Sequence, residues 1–288
     1  MDAAGFMGLE PTEDSRRWRL PVTKEITSGM GALFGGVGLG AAVEAMERHT
    51  DRPLVWATAQ YLSFSRPPSV LDIEVVDAAV GHKTSQVRAT GHVGDFEILT
   101  VNAAMGKRDF PYEGSWAEMP DVPSPEDCPA RITDFRMQNR LMSRMEMRIA
   151  KGRGPDELPG PPGDGRSALW ARIPGLDVSS TTLSILGDIV PFGISQSLGV
   201  RAGGNSLDNT IRVVQLVPTE WMLLDVRIQA VVHGHMTVRD VQALGNVFYI
   251  DTGGWKAKGG RFSFLNLRTL RPVSGPGERI VAVPRRYR

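Results

Sequence analysis

Cysteine is almost absent from this sequence: Cys128 is the only one in 288 residues. No disulfide can form within the chain, so its covalent chemistry gives no sign of an oxidising compartment. An excess of one charge is missing too. Lysine and arginine total 33 and aspartate and glutamate 32, a formal net charge of +1. No overall field draws the molecule to nucleic acid or to an anionic membrane. No apolar run approaches the ~20 residues that cross a bilayer. Met1–Arg19 mixes both charges and lacks the apolar core of a signal peptide. Histidine is scarce, and no cysteine or carboxylate joins it at metal-ligand spacing. These absences lead us to expect a cytoplasmic protein with no metal, no nucleic-acid partner and no membrane span.

What is present suits a globular fold. Hydrophobic residues make up 41% and charged residues 23%, and the length fits one large or two ordinary domains. Two stretches are apolar and rich in small residues, Gly31–Met46 and Ser184–Leu198. Each reads as a central helix followed by strands. In the first, Ala41, Ala42, Ala45 and Met46 have helical spacing. Gly35, Gly36, Gly38 and Gly40 cost roughly 1 kcal/mol each in an exposed helix. They make sense where a sheet presses closely on the helix, or in the turn leading in. The second reads as one helix over about 181–198 with Asp188 near its opening. Pro191 falls in a first turn if the helix starts near Asp188.

Between and after these stretches lie short runs of strand type. Val70–Val76 alternates, with Leu71, Ile73 and Val75 on one face and Asp72 and Glu74 on the other. Met145–Ile149 and Ala168–Ile173 also alternate and read as a hairpin around a long Gly- and Pro-rich loop. A lead-in or edge strand is expected over residues 1–20. Leu71-Asp72-Ile73 and Leu224-Asp225-Val226 share one offset with Gly81-His82 and Gly234-His235, which points to tandem copies. The paired histidines read as turn or strand-end residues. The divisions expected are 1–110 and 131–258 for the two copies, 111–130 for a linker holding Cys128 as a loop thiol, and 259–288 for a basic tail.

Helices wrapped by antiparallel sheets, written twice, resemble the double hotdog of the type II (TesB-like) acyl-CoA thioesterases, an α+β fold. The resemblance rests on Phe34-Gly35-Gly36, Arg66-Pro67-Pro68, Asp188, Ser206-Leu207-Asp208-Asn209 and Glu220-Trp221-Met222-Leu223-Leu224, in family order over about residues 22–257. It implies hydrolysis of an acyl-CoA, with no cofactor beyond the CoA of the substrate. The family holds the hydrolytic water with an Asp, a Thr and a Gln. Asp188 matches the Asp, and Ser206 stands at the Thr. No Gln aligns near Thr252 and Gly253, and Asn209 replaces a family His. The resemblance assigns catalysis to Asp188, Ser206 and Thr252, and substrate binding to Gly35, Gly36 and Gly253.

The chemistry is reasonable for these residue types. A carboxylate in hydrogen-bond reach aligns or deprotonates water, and N–H groups at a helix start stabilise an oxyanion. Plainer readings stand beside these. Asp188 suits a helix N-cap, a role worth roughly 1 kcal/mol. Ser206 suits a strand-edge hydroxyl, and Asp208 a strand start. Loss of the Gln leaves open a non-catalytic acyl-CoA or acyl-carrier binding protein. A hotdog hydratase fits less, because Gly193 stands where it needs a His after Asp188. Gly36–Ala41 matches a dinucleotide-binding pattern but lacks its strand–helix–strand setting. A homodimer is expected, because tandem hotdogs retain exposed sheet edges.

Overall fold

The computed structural model describes residues 1–109, 111, 119–133, 135–232, 235–239, 248–253 and 255–257. The expected basic tail and part of the expected linker lie outside these. In chain order the elements are α1 (Ala3–Met7), β1 (Glu10–Pro11), β2 (Arg17–Val22), α2 (Gly35–Thr50), β3 (Leu54–Tyr61), β4 (Ser69–Val80), β5 (Thr84–Val93) and β6 (Phe96–Gly106). The second half adds β7 (Glu146–Lys151), β8 (Arg166–Arg172), α3 (Ser180–Gly187), α4 (Pro191–Leu198), β9 (Gly204–Ser206), β10 (Asp208–Val213), β11 (Met222–Val232), β12 (His235–Arg239), β13 (Phe248–Gly253) and β14 (Trp255–Ala257).

Among the described residues twelve strands form one antiparallel sheet in the order β1-β2-β4-β5-β6-β3-β10-β13-β12-β11-β8-β7. Read from its centre, the order is the same in both directions. β3 corresponds to β10, β6 to β13, β5 to β12, β4 to β11, β2 to β8 and β1 to β7. Each half is a hotdog, and the two meet where β3 pairs with β10. At the middle of that seam Thr58 faces Thr210, 152 residues on, and their hydroxyls lie 3.0 Å apart. The expected tandem repeat is thus written into the topology.

The alternation read in β4 holds. Leu71, Ile73 and Val75 are buried against the helices, whereas Asp72 and Glu74 face outward. β7 and β8 form the expected hairpin. The lead-in contains a short helix that the sequence reading did not separate, α1, capped by Asp2, whose Oδ1 accepts the Gly5 N–H at 2.8 Å.

The core lies between the concave face of the sheet and the helices. α2 and α3 pack tightly, which explains two glycines of α2. A Cβ on Gly36 would lie 2.7 Å from the Ser184 carbonyl oxygen and 2.8 Å from that of Ile185. A Cβ on Gly40 would lie 3.2 Å from the Thr181 oxygen. A helix, more than a sheet, is what presses on this face. Side chains pin the contact: the Thr181 hydroxyl donates to Glu44 Oε2 at 2.6 Å and the Ser180 hydroxyl to Glu47 Oε1 at 3.0 Å.

The helix expected over about 181–198 is two helices. Ser179 and Thr182 form a reciprocal cap that starts α3 early. Pro191 has no N–H to continue the ladder, and its ring clashes with the carbonyl four residues back, that of Gly187. α3 therefore stops at Gly187, and α4 begins with Pro191 as its first residue. Cys128 also differs from its expected setting. It is buried with Trp170 and Leu223, on a segment held to the sheet by the Trp170 indole N–H, which donates to the Pro123 oxygen at 2.9 Å.

Candidate active site

The break between α3 and α4 leaves Asp188 in an unusual place. It is the residue that closes α3 and does not cap the start of a helix; Val190 precedes α4. The N-cap role considered for it is corrected by this geometry, and the cause is Pro191. With no capping duty in its own segment, the side chain turns to the other half of the molecule.

There it meets the start of α2. Asp188 Oδ2 accepts the Gly36 N–H at 2.8 Å. The donors at a helix start lack intrahelical partners, and the helix dipole adds partial positive charge there. Asp188 Oδ1 accepts two more bonds, from the Ser206 hydroxyl at 2.6 Å and from Asn209 Nδ2 at 2.7 Å. Asn209 Nδ2 also donates to the Tyr61 hydroxyl oxygen at 3.1 Å. The amide orientation follows from this, since turning it over would set two oxygens against each other.

The site is built across the β3–β10 seam. Tyr61 ends β3, and Asn209 lies on β10. Ser206 ends β9, whose partner strand β14 places Trp255 opposite it. The glycines fill a steric requirement: a Cβ on Gly35 would lie 2.8 Å from Asp188 Oδ2 and 3.1 Å from Cζ of Tyr61. A side chain there would fill the space between the carboxylate and the phenol.

Asp188 is 2% exposed, yet among the described residues no cation pairs with it. Burial pushes its carboxyl up to about 6 from the ordinary 3.8, against the pull of the bonds from Ser206, Asn209 and Gly36. A carboxyl titrating there is poised for proton transfer near neutral pH. Tyr61 is pushed well above the ordinary phenol value by burial and then by the Asp188 charge, so it stays protonated. Among the described residues no cluster of histidine, cysteine and carboxylates suits a metal ion.

Of the residues expected from sequence, Asp188, Ser206, Gly35 and Gly36 come together. Thr252 and Gly253 lie on β13, opposite Val238 and Thr237; the Thr252 side chain lies outside the described residues. Gln196, the one glutamine on α4, does not stand in for the missing one. Its amide is committed to the Arg153 backbone, accepting from the N–H at 2.7 Å and donating to the carbonyl at 3.1 Å. The sequence reading missed Tyr61 and the bond of Asn209. Asn209 sits in the Ser206–Asn209 segment that carried the resemblance. Nothing local singles out Tyr61.

Residues 125–240 match the family model of the acyl-CoA thioesterase C-terminal domain. No curated protein sequence matches the chain. Among solved structures, a thioesterase candidate from Novosphingobium aromaticivorans is 25% identical with a TM-score of 0.74, over 86% of this chain and 98% of that one. A hotdog-fold protein from Alicyclobacillus acidocaldarius is 19% identical with a TM-score of 0.76, over 90% and 98%. The acyl-CoA thioesterase II TesB2 of Mycobacterium marinum is 16% identical with a TM-score of 0.67, over 89% and 98%. The resemblance to the TesB-like acyl-CoA thioesterases therefore holds, by family model in the second half and by double hotdog fold along the chain.

Proposed function

We propose that this protein hydrolyses a CoA thioester to a free acid and CoA, with Asp188 as the base. The observation that carries the reading is the division of labour between the two oxygens of Asp188. Oδ1 accepts from both Ser206 and Asn209, which occupies its two lone pairs. Among the described residues Oδ2 accepts the Gly36 N–H alone, which leaves one lone pair on an oxygen that borders Gly35.

In this reading a water donates one hydrogen to Oδ2 and attacks the thioester carbon. The water proton passes to Asp188 as the new C–O bond forms. The C–S bond then breaks, and the proton leaves on the CoA sulfur. Ser206 and Asn209 hold the carboxylate rather than the water. Gly36 cannot serve as an oxyanion donor, as the sequence suggested, because Asp188 uses its N–H. The Gly35 N–H has no acceptor among the described residues and takes that role.

The test is thiol release from a panel of short, medium, long and ring-bearing acyl-CoAs, with Asp188→Asn beside the wild type. Turnover by the wild type and its loss in the variant supports the reading. Binding of acyl-CoA without thiol release from either protein overturns it in favour of a binding protein that lost the family Gln.

A further inference from the structure

The thioesterase reading leaves one group of the site unused, the Tyr61 hydroxyl. We propose that Tyr61 is a catalytic residue which donates its hydroxyl hydrogen to the thioester carbonyl oxygen, completing with the Gly35 N–H a two-donor oxyanion site.

A phenol hydroxyl accepts and donates. Tyr61 accepts from Asn209 Nδ2 at 3.1 Å, which directs its own hydrogen away from the amide. No described residue takes that hydrogen. Tyr61 is half-buried, so that hydrogen is open to a ligand entering beside Asp188.

Asp188 Oδ2 and Cζ of Tyr61 both border the space over Gly35, at 2.8 Å and 3.1 Å from where a Cβ would stand. A carbonyl held in that space is within reach of the base oxygen and of the phenol, one for attack by water and the other for charge stabilisation. Burial and the Asp188 charge keep the phenol protonated through the working pH range, so it remains a donor. The donor comes from the first half of the chain and the base from the second. This proposal rests on the thioesterase reading.

Tyr61→Phe tests it, because the ring stays against Gly35 and only the hydroxyl is lost. The expected result is a fall in kcat of about a hundredfold, the scale of losing one oxyanion donor. KM should hold, and the acid limb of the pH profile should stay in place. A limb that moves with kcat would mean that the hydroxyl acts only through Asn209 and Asp188, and would overturn the proposal. The second measurement is the infrared carbonyl band of acyl-CoA bound to Asp188→Asn, which should lie below that of free acyl-CoA. It should return toward the free position in the Tyr61→Phe, Asp188→Asn double variant. A band that does not move, with wild-type turnover intact, removes Tyr61 and leaves the thioesterase. A wild type that binds acyl-CoA without turnover removes the thioesterase, and the band, read on the wild type and Tyr61→Phe, still decides whether Tyr61 contacts the carbonyl. No binding and no turnover overturns both.

Discussion

The carboxylate of Asp188 and the backbone N–H of Gly36 meet at 2.8 Å across 152 residues of sequence. One belongs to the helix break of the second half and the other to the helix start of the first. The bond ties the candidate base to the packing of α2 on α3, so chemistry and stability respond to the same substitutions.

Asp188→Asn should abolish turnover and flatten the pH dependence of stability. The folded-state carboxyl titrates near 6 and the unfolded one near 3.8. Between these values the folded state binds more protons, so the wild type loses stability as pH rises through that window. The gap corresponds to on the order of 3 kcal/mol. Urea midpoints at pH 3.5 and 7.5 should differ more for the wild type than for the variant. Equal differences would show that Asp188 is not buried as described.

The acid limb of kcat against pH should have an apparent pKa near 6, with activity lost below it, because the base must be ionised. Ser206→Ala removes a bond that holds this carboxyl down, so its limb should move upward. The lost bond to a charged group should also lower kcat by about tenfold or more. Ser206→Thr keeps the hydroxyl and should stay near wild type. A steady-state pH series on the three proteins checks all of this.

Much of this fold was legible before the structure, because alternation and offset are local properties of the chain. Leu71, Ile73 and Val75 declare a half-buried strand by themselves, and Phe34-Gly35-Gly36 marks a helix start. Ser206 and Asp188 were found by their order. The break at Asp188 was harder. Pro191 is tolerated in a first turn, so its presence fits one helix starting late as well as two helices. Tyr61 was not legible at all. It reaches Asp188 only because β3 and β10 pair, and that register depends on both halves being folded.

Gly36→Ala should destabilise the protein by about 1–3 kcal/mol, because the new methyl lands 2.7 Å from the Ser184 oxygen and 2.8 Å from that of Ile185. Both are backbone atoms of α3 and cannot swing away. Gly35→Ala meets side chains, so it should cost less stability and more activity. Thermal melts and thiol release on the two variants separate the effects. A Gly36→Ala protein as stable as wild type would disprove the close helix contact.

Asn209→Asp exchanges a donor for a second carboxylate in contact with Asp188. The two would share a proton, and the acid limb should rise by about one pH unit or more. Asn209→His restores the family residue and keeps a donor, so its limb should move less. The same pH series on these two proteins checks the order.

The seam at Thr58 and Thr210 has a consequence for how such a site can arise. The site beside it is one-sided: Asp188, Ser206 and Asn209 come from the second half, and Gly35, Gly36 and Tyr61 from the first. In a dimer of identical chains every position is duplicated, so the same residues would recur on both sides of the seam. A covalent tandem escapes that constraint, and one half can carry the acid while the other supplies the glycines that make room for it.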